Sequence, residues 1–248
     1  MNYIKDGKNR FTVVIDNEVM SFDPEHDSYE ALRQAVIDGD SEAFLKFYRT
    51  GDLICEWSDG EFEANNGIVT YMGQELPNTI QERLIDMRKD GFDSQPLLSF
   101  IRKVFKSGSF NVVNNLYNFM EYKQMPLSPN GNIIAWKGVK VHRGETFIDQ
   151  FGREVNDGDL VDVQTGSIRN NVGDENYMPR HTVVDDCNQP CGPGLHIGNL
   201  EYAKEWTTDG SVVMVEADPE DIVSVPRDHN FAKARTCRYK VIGLLKED

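Results

Sequence analysis

Cysteine is scarce in this chain: Cys55, Cys187, Cys191 and Cys237 are the only four in 248 residues. None forms a C-x₂-C knuckle, which excludes a ribbon of paired zinc knuckles. No apolar run approaches the roughly 20 residues that cross a bilayer. The segment Met1–Arg10 lacks the apolar core of a signal peptide, so the chain reads as intracellular and its thiols as reduced. Basic residues are a minority, 26 Lys and Arg against 41 Asp and Glu, giving a net charge of -15 and a pI near 4.7. That balance repels a phosphate backbone and an anionic membrane, and it excludes general nucleic-acid binding. There is no internal repeat, heptad array or low-complexity tract.

Hydrophobic residues make up 39% and charged residues 27%, enough apolar material for one large or two small domains. The pattern predicts an α+β fold in two parts. Residues 1–127 form a hairpin-and-helix region. Phe11–Ile15 and Val19–Phe22 read as strands around an Asp16-Asn-Glu18 turn. A helix capped by Asp27 or Ser28 follows, with Leu32, Ala35 and Val36 on one face and Gly39 at its end. A second runs from Ser41, with Phe44, Leu45 and Tyr48, to Gly51. Short strands over 53–76 turn at Asp59-Gly60 and Asn65-Asn-Gly67. Helices then run from Asn78 to Asp90 before Gly91, from Leu97 to Lys106, and onward from Ser109 with Phe110, Val113, Leu116, Tyr117 and Met120 at helical spacing. Ser128-Pro-Asn-Gly131 is a strong turn, and the boundary is placed just before it. Residues 128–248 read as a mixed or antiparallel sheet domain with long loops. Its elements are the strand Ile133–Val141, a short helix capped from Asn199, and strands at Ser211–Val215, Ile222–Val225 and Cys237–Leu245.

The chemistry-bearing residues gather in this second part. Lys137, Arg180 and Arg235 sit at predicted strand ends, beside Trp136, His196, Asp185 and Asp228. Gly192-Pro-Gly194 leads through His196 to Gly198 and a helix start, where free N–H groups suit a phosphate. This constellation points to an anionic, nucleotide-type ligand, although neither a dinucleotide fingerprint nor a P-loop is present. Aspartates able to pair with the arginines supply the plainer alternative. Cys187, Cys191, His196 and Cys237 form a second set, compatible with zinc or with small buried thiols. Cys191 with His196 or His229 is a third, a thiol and a base. The acidic run Asn156-Asp-Gly-Asp159 with Asp162 lacks the register of a calcium loop and reads as a solvated turn.

Ala135-Trp-Lys-Gly-Val139, Met178-Pro-Arg180, Val184-Asp-Asp186, Cys191-Gly-Pro-Gly-Leu-His-Ile197, Val213–Pro226, Asp228-His-Asn230 and Ala234–Tyr239 stand in one order over the C-terminal half. In these the chain resembles the RIIB proteins of T-even and related phages. The resemblance implies a phage protein made during infection, in the host cytoplasm and linked to rapid lysis. It also implies an RIIA-like partner and a role in letting infection proceed in cells that carry a defence. It supplies no catalytic residues and no cofactor. A weaker likeness, in the order of elements around Trp136-Lys-Gly138 and Gly194–Gly198, is to ADP-ribosyltransferases. It would place Lys137 and His196 at two catalytic-strand positions, yet Glu216 and Glu220 sit around a turn and do not supply the third. The chain is therefore expected to act by binding a nucleotide-type signal or a partner protein. The alternative is an enzyme acting on NAD or ADP-ribose-type nucleotides. An oligomer is compatible with either.

Overall fold

The structure is a computed structural model. It describes all residues except 27, 50–53, 55–59, 66–67, 90–91, 107–114, 121–124, 208–210 and 246–248. Asp27, Gly51, Asp59, Gly67, Gly91, Ser109, Phe110 and Val113, assigned above to caps, turns and a helix face, lie outside the described residues, as does Cys55. The fold is α+β, and packing divides it into two units, Met1–Ser94 and Gln95–Asp248. No helix among the described residues is long and apolar enough to cross a membrane.

In the first unit, β1 (Asn2–Lys5), β2 (Phe11–Ile15) and β3 (Glu18–Phe22) form an antiparallel sheet. The β2–β3 turn carries Asp16 and Asn17 at φ 48° and 69°, the left-handed pair that matches hairpin twist and that Asp and Asn tolerate. Alternation sends Phe11, Val13, Ile15, Met20 and Phe22 inward. They meet Leu32, Ala35 and Val36 of α1 (Tyr29–Asp38) and Phe44 of α2 (Ser41–Tyr48). Gly39, in the left-handed conformation, ends α1, and the Asp40 carboxylate accepts from Ala43 N to start α2. A meander of β4 (Phe62–Asn65), β5 (Ile68–Tyr71) and β6 (Gln74–Glu75) precedes α3 (Asn78–Lys89).

The second unit opens with α4 (Gln95–Lys106), which buries Leu97, Leu98, Phe100, Ile101 and Val104. Its Lys103 ammonium reaches Asp218 at 2.6 Å, so this helix belongs with the sheet-rich unit although it precedes the 128–131 turn. Residues 115–120 are helical. The long strand β7 (Ile133–Val141) is followed by four short ones: β8 (Phe147–Ile148), β9 (Glu154–Val155), β10 (Leu160–Asp162) and β11 (Glu175–Tyr177). Then come β12 (Leu195–Gly198), α5 (Leu200–Glu205), β13 (Val212–Ala217), β14 (Ile222–Ser224), β15 (Lys233–Thr236) and β16 (Arg238–Leu244). The eight-stranded sheet runs β11-β16-β13-β7-β12-β15-β14, with β10 also on β7. Its pairings are antiparallel.

The loops between β7 and β11 are held by buried charge. Arg153 donates to Asp149 Oδ2 at 2.6 Å, to Asn176 Oδ1 at 2.7 Å and to the Arg169 carbonyl at 3.1 Å. Arg169 pairs with Asp174 at 2.8 Å. Asn176 and Asn170 close the network on the Tyr239 hydroxyl. Asn156, Asp157 and Gly158 form the exposed turn expected, whereas Asp162 beyond it is buried in this framework. Buried Asp162 accepts from the backbone N–H groups of Thr165, Ser167 and Ile168. Burial pushes its carboxyl up, but those donors and the Lys137 charge outweigh it and hold the pKa below the usual value.

Candidate functional site

Two short strands assemble the polar centre of the sheet. His196 lies directly across from Arg235, and Gly198 from Lys233. Gly198 also faces Trp136 on β7. Residues opposite one another, and residues two apart on a strand, share a face. Trp136, His196, Lys233 and Arg235 therefore occupy one face of the sheet. Lys137, next to Trp136, leaves the other.

Arg235 is fully buried. Its guanidinium donates to the Asp186 carbonyl at 3.2 Å, to Ser224 Oγ at 3.1 Å and to the Gln189 carbonyl, while Nε has no partner. Lys233, 4% exposed, donates to Asp228 Oδ2 at 2.7 Å and to the Pro190 carbonyl at 2.8 Å. Its ammonium also lies 5.9 Å from the centre of the Tyr202 ring. The second oxygen of Asp228 is buried and unpartnered. Tyr202 in turn meets His229 and Trp206 at 5.6 and 5.8 Å between ring centres. Burial, then the charges of Lys137, Arg235 and Lys233, push the His196 pKa down to about 4, against the opposing pull of Asp228. At neutral pH the ring is uncharged. The rim of the site is a strained turn: His229, Asn230 and Phe231 all hold positive φ, 50°, 51° and 58°, a conformation that costs roughly 1–2 kcal/mol per ordinary residue.

The seven residues grouped from sequence are thus not one pocket. Trp136, His196 and Arg235 share a face, and Asp228 joins them through Lys233 on that face. Lys137 points away and gives its ammonium to the His196 carbonyl at 3.1 Å, with the Tyr239 ring centre 5.8 Å distant. Arg180 is committed elsewhere, to the carbonyls of Glu220 at 2.6 Å and Ile222 at 3.0 Å. Asp185 is exposed. Lys233 and Tyr202 complete the site and were not among the residues assigned to it from sequence, because their pairing arises only when β15 and α5 meet.

Gly138 and Gly198 are required by packing. A Cβ on Gly138 would lie 2.5 Å from the Ala203 carbonyl oxygen, and one on Gly198 2.6 Å from Tyr202 Cδ1. Both glycines let α5 sit against the sheet. The α5 N-terminus is already capped, since Asn199 Oδ1 accepts from Tyr202 N at 3.0 Å. The thiol set is dispersed as well. Among the described residues no three His, Cys, Asp or Glu side chains gather as metal ligands. Cys187 is buried, Cys191 exposed, and Cys237 donates to Asp221 at 3.5 Å with its pKa raised by burial and that carboxylate. The ADP-ribosyltransferase-like placement fails on the same geometry, because Lys137 and His196 leave opposite faces.

No solved structure matches the chain. Among curated proteins, Protein rIIB of Enterobacteria phage T4 is 24% identical over 237 residues, spanning 95% of this chain and 70% of that protein. The family described as Bacteriophage T4 protein rIIB matches residues 59–247, which include both units' strands from β4 onward and every residue of the β12–β15 site. The chain belongs to the bacteriophage T4 rIIB family.

Proposed function

We propose that this chain is a phage accessory protein that acts by binding, countering a host defence or delaying lysis, and that the β12–β15 face takes an anionic, nucleotide-type ligand. One observation carries the reading. Lys233 and Arg235 lie beside His196 in solvent-poor surroundings with the Asp228 carboxylate, while Lys137 on the other face is countered by Asp162. The partners of Arg235 are the Asp186 and Gln189 carbonyls and Ser224 Oγ, which leave its charge uncancelled. A local surplus of positive charge in a chain of net charge -15 favours an anion there. Trp136 and the neutral His196 ring share that face, one suited to stacking and the other to a directional hydrogen bond. Catalysis is the weaker reading, because Asp228 is already held by Lys233 at 2.7 Å.

A second reading, a protein partner such as an RIIA-like chain, draws on the exposed left-handed turn at His229 and Asn230. Strained exposed turns recur at recognition sites. Calorimetric titration with ADP-ribose, NAD and pyrophosphate separates the possibilities. The expected result is saturable binding that weakens with salt and is lost in folded His196→Asn. Absence of binding at millimolar ligand overturns the nucleotide reading. Conversion of NAD in the same cell would establish the enzyme instead.

A further inference from the structure

An open cleft of about 560 Å³ lies in the N-terminal unit, between residues 24–26 and 28–31, Phe47 of α2 and Glu82 of α3. Its lining residues include Tyr29 and Phe47 beside Glu25, Glu30 and Glu82. Glu30 is paired with Arg33 at 3.1 Å, whereas Glu25 and Glu82 pair with no cation among the described residues. Buried His26 also lines the cleft. Its Nδ1 accepts from Ser28 N at 3.1 Å. The wider field has the same sign. Residues 1–94 hold twenty Asp and Glu against nine Lys and Arg, so they carry eleven of the fifteen net negative charges.

Aromatic faces and carboxylates have one ligand class in common. The ring quadrupole attracts a cation, and so does a carboxylate, whereas an anion is repelled by both. The Phe47 ring already draws a cation from its own helix, Lys46 Nζ at 5.5 Å. We infer that the cleft binds an alkylammonium group, carried by a free diamine or by a lysine side chain of a basic partner segment. The site is in the other unit from the β12–β15 face and prefers the opposite charge, so either can fail without the other.

Cadaverine is the direct probe, titrated into the whole chain beside n-pentanol, which has the same carbon chain without the charge. The expected result is saturable cadaverine binding that weakens with salt, with none for n-pentanol. In Glu25→Gln/Glu82→Gln the affinity should drop about tenfold, the loss expected for roughly 1.4 kcal/mol of ammonium attraction. Both carboxylates are exposed, so this variant tests the site without disturbing the core. A similar loss is expected in Phe47→Leu. Equal binding of cadaverine and n-pentanol, no saturation at millimolar cadaverine, or unchanged affinity in the double glutamine variant would each overturn the assignment. A lysine-rich peptide run in parallel identifies the source. Tighter binding than cadaverine assigns the cleft to a partner's side chain, and weaker binding to a free amine. Both results uphold the ammonium site.

Discussion

Lys137 donates its ammonium to the main-chain carbonyl of His196 at 3.1 Å, although the two side chains leave opposite faces of the sheet. The bond ties β7 to β12 through the backbone of the residue at the centre of the site. Burial lowers the Lys137 pKa, and the Asp162 carboxylate only partly restores it. A lysine with a depressed folded pKa binds fewer protons folded than unfolded in the interval below 10.5. Its charge therefore opposes folding at neutral pH, and that opposition fades as pH rises through the folded pKa. The difference in unfolding free energy between the native chain and Lys137→Met should shift in favour of the native chain between neutral and alkaline pH. Urea titrations at pH 7 and pH 9.5 check this, and a difference that does not change with pH would remove the buried charge from the account.

His196 titrates in the opposite region with its own sign. Its folded pKa of about 4 lies below the ordinary 6.5. Between those values the unfolded chain binds the proton and the folded chain does not, so stability is full above pH 6.5 and falls as pH drops toward 4. The interval corresponds to a loss on the order of 3 kcal/mol. His196→Gln should remove that share of the acid sensitivity and leave the rest. Urea midpoints at pH 7 and pH 4.5 for both chains give the comparison.

The parts of the fold that were legible are those in which one residue type repeats with a clear period. Ile133–Val141 is bounded as expected because β-branched residues stand at both its ends, after the 128–131 turn. The β2–β3 hairpin and the Gly39 stop follow from turn chemistry alone. The strands that build the site were obscured. Each is only four residues long, and β15 buries Lys233 and Arg235, which a sequence reading sends to solvent. β1 is exposed along its whole length, and its two apolar residues, Tyr3 and Ile4, are too few to mark a strand. The grouping of Lys137 with Trp136 could have been corrected from sequence, since neighbours on a strand point to opposite faces. The Lys233–Asp228 pair could not, because nothing in its five-residue spacing implies contact.

Gly138 and Gly198 should prove intolerant of a methyl group. A Cβ at Gly138 would also lie 3.0 Å from the Trp206 backbone, and one at Gly198 2.8 Å from the Ala232 carbonyl oxygen. Backbone atoms cannot retreat as a flexible side chain can, so α5 must lift from the sheet. Gly138→Ala and Gly198→Ala are each expected to cost about 1–3 kcal/mol. Gly7→Ala, where nothing lies within 4 Å, is the neutral reference. Chemical denaturation of the three variants reads the contrast directly.

The Asp149–Arg153 pair is the strictest test of whether the β7–β11 loops are structural. The Asp149 side chain is fully buried. Burial pushes its carboxyl up, but the Arg153 guanidinium and the N–H groups of Arg153 and Phe151 together hold it below the usual value. Arg153→Met keeps much of the apolar stem but leaves that carboxylate buried without its counter-ion. It also removes the donor to Asn176 and to the Arg169 carbonyl, so three loops lose their common anchor. Breaking one partner of a buried pair costs about 3–5 kcal/mol. The variant should therefore be markedly less stable at pH 7 and should recover part of the loss near pH 4, where a proton can neutralise Asp149. Asp149→Asn/Arg153→Met, which removes both charges at once, should lie between that variant and the native chain. Equal stability of the single and double variants would show that the loops depend on the arginine's hydrogen bonds and not on its charge.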